Sequence, residues 1–290
     1  EHLFAILAAA GFGGSRVLAG IGLQGVKPLT ATIISQVFGL VLAVGISLVF
    51  HFDELISVSR TELGLLAITG LVGFALGRGL TFLGIRHIGA SRSTTVYASY
   101  PLFTMALAIP FLGERISAAL VAGVLLIIGG VTLLFMERDA EKMIATGANR
   151  LLGYAFSLGS AVAFGSNTVL IKWLVTGRVH PMVTVTVALF FGVAVLVAVA
   201  GRGLGAGFRD NPRSTAFLAL AGVLSTLGAV ALYYGLSIAP AVVITPLGST
   251  SPLFTLLGTY LFLRRLEKVT RYVVLGCLMV VAGGTLVSIS

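Results

Sequence analysis

One repeated motif constrains this chain more than any other feature. The stretch Tyr97-Ala98-Ser99-Tyr100-Pro101-Leu102-Phe103-Thr104 returns 151 residues later as Gly248-Ser249-Thr250-Ser251-Pro252-Leu253-Phe254-Thr255. Each copy of Pro-Leu-Phe-Thr lies inside an apolar run long enough to cross a bilayer. The pattern points to a duplicated membrane unit in which each copy bends a helix at the same place, since proline removes a backbone donor and kinks the helix it interrupts. Pro101 and Pro252 are therefore expected hinges.

The echo runs through the chain. Phe12-Gly13 and Val17-Leu18 recur as Phe164-Gly165 and Val169-Leu170, and Glu114-Arg115-Ile116-Ser117 as Glu267-Lys268-Val269-Thr270. Gly123 matches Gly276, Gly130 matches Gly283, and Thr132-Leu133 matches Thr285-Leu286. Anchors that keep their order while the spacing drifts by only a residue or two indicate duplication.

The composition excludes a soluble domain. Hydrophobic residues make up 57% of the 290 and charged residues 10%, against about 25% charged in ordinary soluble domains, and the mean hydropathy is +1.07. A formal charge of +9 would suggest nucleic acid in a soluble protein. In a membrane protein the same excess collects in cytoplasmic loops, so no nucleic-acid partner is expected. Cys277 is the single cysteine, which leaves no disulfide framework and no thiol metal cluster. No cofactor or metal site is expected. The chain starts at Glu1 and stops where its last apolar run ends, which suggests trimmed tails.

Apolar windows of about 20 residues occur at 2-22, 28-50, 62-86, 90-112, 116-136, 150-174, 181-201, 214-238, 240-263 and 269-289. The expected fold is all-α and integral to the membrane. It has ten transmembrane helices in two five-helix repeats, residues 1-136 and 150-290, joined by a charged linker at 137-149. Five is odd, so the second copy enters the bilayer from the opposite side and the repeat is inverted, with a substrate site near the midplane where the halves meet. Gly123, Gly129 and Gly130, with Gly276, Gly283 and Gly284, are expected to let helix backbones approach closely.

Charge placement bears on function. All ten acidic residues fall in or beside loops, whereas Arg16 and Arg78 lie deep within spans. A cation in hydrocarbon costs about 2.5 kcal/mol or more, so both arginines need a water-filled cavity or an anionic partner. Of the remaining Lys and Arg residues, 13 fall in loops after spans 1, 3, 5, 7 and 9 and 4 in loops after spans 2, 4, 6 and 8. The positive-inside rule then puts both termini outside. Lys172 near a span end is expected to snorkel, and Arg86, His87 and Arg92 to act as interfacial charges, with His87 also a proton-site candidate.

In the second half, Ala163-Phe164-Gly165-Ser166-Asn167 fits a first-helix pattern, and in the first half Leu112-Gly113-Glu114-Arg115 fits the entry to a fifth helix. Together with Pro-Leu-Phe in each fourth span, these motifs make the whole chain resemble the drug/metabolite transporter superfamily, in particular its EamA-type members. Two departures are the missing tryptophan at the Phe164 position and Leu263-Arg264-Arg265-Leu266-Glu267 in place of Leu-Gly-Glu. The resemblance implies a multi-pass permease of the plasma (inner) membrane. It also implies a central cavity near Arg16, Arg78, Tyr97 and Tyr100 from one half and Asn167, Tyr233, Tyr234 and Ser249 from the other. Many members place both termini in the cytoplasm, which opposes the charge count.

The function expected is secondary active or facilitative transport of a small polar metabolite by alternating access. An anionic or zwitterionic solute, such as an amino acid, organic acid or phosphorylated metabolite, suits the two arginines. Arg78 has Ala229 as its counterpart in the second half and Arg16 has Thr168, an asymmetry that a packing role shared by both halves does not explain. A broad exporter of cationic or drug-like compounds is the alternative, disfavoured because the spans carry no acid. A membrane-embedded enzyme is less favoured still, since His2, His51, His87 and His180 are scattered and no acid-base set accompanies them. The absence of a phosphate-binding glycine loop argues against direct ATP drive.

Overall fold

The computed structural model describes residues 2–24, 26–112, 118–135, 147–200, 211–248, 250–263 and 269–288. Residues 136–146, which hold most of the expected linker, residues 113–117, 201–210 and 264–268, and Ser249 lie outside the described residues. All regular structure among the described residues is helical. In chain order the helices are α1 (His2–Gly22), α2 (Pro28–Phe50), the short α3 (Phe52–Ile56), α4 (Arg60–Ile88), α5 (Ala90–Tyr97) and α6 (Tyr100–Leu112). There follow α7 (Ala118–Phe135), α8 (Gly147–Val175), α9 (Pro181–Ala200), α10 (Pro212–Ile238), α11 (Ala241–Gly248), α12 (Ser251–Leu263) and α13 (Arg271–Ser288). Among the described residues six helices, α1, α2, α4, α8, α9 and α10, are long and apolar enough to cross a membrane.

Local chemistry sets several boundaries. Pro28 opens α2, and Pro212 opens α10 behind an Asn211 cap whose Oδ1 accepts from the Ser214 N–H at 3.1 Å. Ser59 and Glu62 form a capping box at the start of α4. Gly89, at φ 85°, turns the chain sharply between α4 and α5 in a conformation that side-chain-bearing residues avoid.

The two prolines act differently from the simple kink expected of them. α5 ends at Tyr97 and α11 at Gly248, each four residues before its proline. Those are the residues whose carbonyls the absent proline N–H would have bonded in a continuous helix. Both helices therefore break, and Pro101 and Pro252 sit in the first turn of a new segment, α6 and α12. Turn bonds from Leu102 N–H to Ser99 O and from Leu253 N–H to Thr250 O, both 3.0 Å, bridge the two breaks.

The packing is inside-out relative to a soluble protein. Ser35, Gln36, Thr69, Thr94, Asn167 and Thr226 are buried, whereas Leu3, Phe38, Val49, Phe50, Phe190 and Val199 are exposed. Apolar side chains on the periphery suit lipid, and several polar groups inside are bonded across helices, while Ser35 Oγ, Thr69 Oγ1, Thr94 Oγ1 and Asn167 Oδ1 have no partner among the described residues. Gln36 Nε2 donates to Phe74 O at 2.6 Å, Thr81 Oγ1 lies 2.7 Å from Ser160 Oγ, and Ser47 Oγ lies 2.7 Å from Thr186 Oγ1.

Contacts recur at the repeat spacing. Thr104 Oγ1 of α6 donates to Gly165 O of α8 at 3.1 Å, and Thr255 Oγ1 of α12 donates to Gly13 O of α1 at 3.3 Å. A Cβ at Gly70 would strike Ala188 O, and one at Gly222 would strike Ser35 O, so α4 meets α9 as α10 meets α2. Helices α7 and α13 pack through the expected small residues, with Gly130 against Gly276 O and Gly283 against Gly123 O. Close backbone approach of this kind is how membrane helices gain contact without a hydrophobic driving force.

Two expectations about single basic residues change. Lys172 does not snorkel to the interface: its Nζ donates to Leu236 O at 2.7 Å and Ala239 O at 2.9 Å, capping the C-terminal end of α10. That end carries orphan carbonyls and partial negative charge, which a lysine satisfies better than a distant headgroup. Arg92 is buried at 3% exposure and is not an interfacial charge. Arg86 Nη1 donates to Leu23 O at 2.7 Å and so ties α4 to the end of α1.

Candidate functional site

A break in one helix and a π-helical stretch in another bring two arginines and two tyrosines together. Residues Gly70–Gly77 of α4 are π-helical, a wider turn that recurs at functional sites because it shifts the register of the residues beyond it. Arg78 is the next residue. Its Nη2 donates to Ser15 Oγ at 2.8 Å, and Ser15 Oγ donates onward to Ala221 O of α10 at 2.7 Å. The Phe82 ring, one turn along, lies 5.5 Å from the Arg78 guanidinium.

Arg16 follows Ser15 on α1 and faces the break between α5 and α6. Its guanidinium lies over the Tyr97 ring, 3.9 Å from the centroid, and its Nη1 donates to Ser251 Oγ at 3.3 Å. Tyr97 in turn meets Tyr100 at 5.2 Å and the edge of Phe164 at 5.2 Å. Tyr100 donates its hydroxyl to Thr245 O at 2.7 Å, and Gly248 leaves room for that hydroxyl. The ends of the two broken helices thus touch each other beside the arginines.

Both guanidinium groups are nearly sealed, at 2% exposure for Arg16 and 4% for Arg78. Neither has an acidic partner among the described residues, and Nε of each is buried without a hydrogen-bond partner there. Hydroxyls and aromatic faces soften this burial, since a desolvated cation–π contact is worth about 2 kcal/mol. They do not neutralise it. Guanidinium donors bond charged oxygen acceptors about twice as strongly as neutral donors do.

The other expected site residues divide. Asn167 is buried on α8, one turn from Phe164; its amide fills the space left by Gly73, and its Oδ1 has no partner among the described residues. Tyr233 is buried in an apolar cluster with Phe74 and Ala229. Tyr234 is not with the arginines. It stacks on Phe4 at 6.0 Å and meets His180 at one end of the protein. Adjacent helical residues point about 100° apart, so both tyrosines cannot face one compartment. Ser249 lies outside the described residues.

Sequence reasoning missed Ser15 as the link between Arg78 and α10. It also missed Ser251 as a partner of Arg16, although Ser251 occupies the place of Tyr100 in the repeated motif. It treated the histidines as scattered, yet the His51 and His180 rings stack with centroids 4.0 Å apart. His87, the proton-site candidate, has its Nδ1 2.8 Å from Leu83 O of its own helix and its ring against Phe156.

A solved crystal structure aligns over 98% of this chain and 95% of its own length with a TM-score of 0.71 at 18% identity, a likeness of fold alone. An uncharacterized transporter of Clostridium kluyveri is 23% identical over 240 residues, which cover 79% of this chain and 73% of that protein. The profile of the EamA-like transporter family matches twice, over residues 1–136 and 151–289. The chain therefore belongs to the EamA-like transporter family, and is a multi-pass membrane transporter.

Proposed function

We propose that this transporter moves a small anionic or zwitterionic metabolite by alternating access, through a compartment lined by Arg16, Arg78, Tyr97, Tyr100, Asn167 and Tyr233. The observation that carries the reading is the burial of two guanidinium groups with no acidic partner among the described residues. A site built for a cation would place a carboxylate where this one places Arg16 and Arg78.

The transport architecture proposed is ten spans in two inverted halves, residues 1-136 and 150-290 joined at 137-149, rocking about the breaks before Pro101 and Pro252. The paired bonds Thr104 to Gly165 and Thr255 to Gly13 support it, because a two-fold axis between halves requires each contact to have a partner one repeat away. The plasma (inner) membrane is the proposed location.

Flux into proteoliposomes tests the function. Purified protein should speed the uptake of at least one carboxylate or phosphate metabolite from a panel that also holds neutral and cationic solutes. Flux confined to cationic compounds would overturn the reading and restore a cation exporter.

A further inference from the structure

His51 and His180 are 129 residues apart, and each belongs to a different segment matched by the family profile. His51 follows α2 and His180 precedes α9, at the end of the protein that also carries the start of α1. Their rings stack with centroids 4.0 Å apart and planes 29° apart. Tyr234 of α10 places its hydroxyl 3.3 Å from His180 Nε2, with its ring edge-on to the imidazole. Phe4 of α1 covers the other side of Tyr234. The ends of α2 and α9 and Tyr234 of α10 thus meet at one imidazole pair, with α1 packed behind Tyr234.

The charges around the pair are few. Glu54 of α3 lies 3.5 Å from His51 Nδ1 and is about half exposed. Asp53 and His2 are exposed. Among other charged groups at this end, Lys172 is held by the carbonyls of Leu236 and Ala239, Arg178 lies 3.8 Å over the Trp173 ring, and Glu62 is held by Ser59. One acid therefore faces two imidazoles. His180 Nδ1 is buried with no partner among the described residues.

We propose that the stacked His51–His180 pair is a proton-binding site that latches the two matched segments together at this end, and that double protonation parts them. With at most one proton the stack is attractive: one ring is neutral, and Glu54 balances a charge on the other. A second proton puts like charges face to face in a partly desolvated contact, with no second acid to offset it. Burial and the neighbouring His51 hold His180 below the ordinary imidazole range, so the second proton is taken up only under acid conditions. A group with a depressed folded-state affinity for protons is bound more tightly by the opened form. The closed contact is thus favoured above the ordinary value of about 6.5 and is lost as pH falls below it. The proposal does not rest on the identity of the substrate.

Distance measurement between spin labels tests it without a substrate. Labels are placed at Ile56→Cys and Thr176→Cys, both exposed and one in each matched segment, in Cys277→Ala protein reconstituted in lipid vesicles. Between pH 8 and pH 5 a longer-distance population should grow by about tenfold, because the ordinary imidazole value of about 6.5 regained in the opened form lies inside that window. His180→Gln, which keeps a partner for the Tyr234 hydroxyl, should make the distribution independent of pH, and so should His51→Gln. A distribution that ignores pH with both histidines present would overturn the latch, and so would the same acid response in either glutamine variant.

Discussion

The Arg16 guanidinium lies over the Tyr97 ring, 3.9 Å from its centroid, while its Nη1 bonds Ser251 from the other matched segment. Tyr97 is also the last residue of α5, where the absent N–H of Pro101 leaves a carbonyl without its helical partner. The helix break and the buried cation are therefore parts of one arrangement. The break exposes the aromatic face on which the cation rests.

Removing either charge should reveal its purpose. Arg78→Gln keeps hydrogen-bonding capacity toward Ser15 and removes the cation, as Arg16→Gln does beside Ser251. Each should weaken binding of an anionic solute by about tenfold, a loss of about 1.4 kcal/mol, consistent with charge-assisted bonds being worth about twice neutral ones. Thermal-shift titration of the variants checks this. Unchanged affinity in folded protein would make the arginines structural.

Close approach between helices gives a paired prediction. A Cβ at Gly70 meets backbone and side-chain atoms around Ala188 and Gly192, and one at Gly222 meets the Ser35 backbone. Backbone cannot rotate away as a long side chain can. Gly70→Val and Gly222→Val should each destabilise the protein by about 1–3 kcal/mol, read as lower melting temperatures in detergent. A loss at only one of the two would argue against equivalent roles for the paired contacts.

Six of the ten expected spans reappear as single long apolar helices among the described residues, legible because lipid imposes a length and a polarity that no soluble fold shares. The expected window 62-86 became Arg60–Ile88, and 28-50 became Pro28–Phe50 without change. Arg16 and Arg78 were legible for the same reason, since a cation inside an apolar run is costly enough to be conspicuous. The π-helical stretch before Arg78 was not, because its composition of small and apolar residues fits an ordinary helix equally well. Tyr234 was assigned to the wrong site because a pair of adjacent tyrosines does not declare which one faces inward. The histidine pair could not be found from periodicity, since its members lie in separate loops and meet only through the packing of α2, α9 and α10.

Lys172 offers a test of stability apart from transport. Its ammonium satisfies two carbonyls at the end of α10, which would otherwise be partly buried without donors. Lys172→Met preserves the apolar stem and removes both bonds. It should cost about 1–3 kcal/mol and lower the melting temperature while leaving the relative affinities for anionic and cationic solutes unchanged. A change in that preference would mean that the Lys172 charge reaches the solute compartment.

Orientation in the membrane is set by charge outside the apolar runs. With the buried Arg92 set aside, 12 of the Lys and Arg residues lie in or beside loops after the odd-numbered apolar windows and 4 after the even-numbered ones. A basic loop is retained in the cytoplasm at insertion, so residues 137-150 and 201-213 should be cytoplasmic and both termini outside. Single cysteines introduced in those two stretches, in Cys277→Ala protein, should resist a membrane-impermeant thiol reagent applied to intact cells and react after permeabilisation. The stacked histidines would then face the outside, where acidification is readily imposed. Ready labelling in intact cells would reverse the topology, placing the termini and the histidine pair in the cytoplasm.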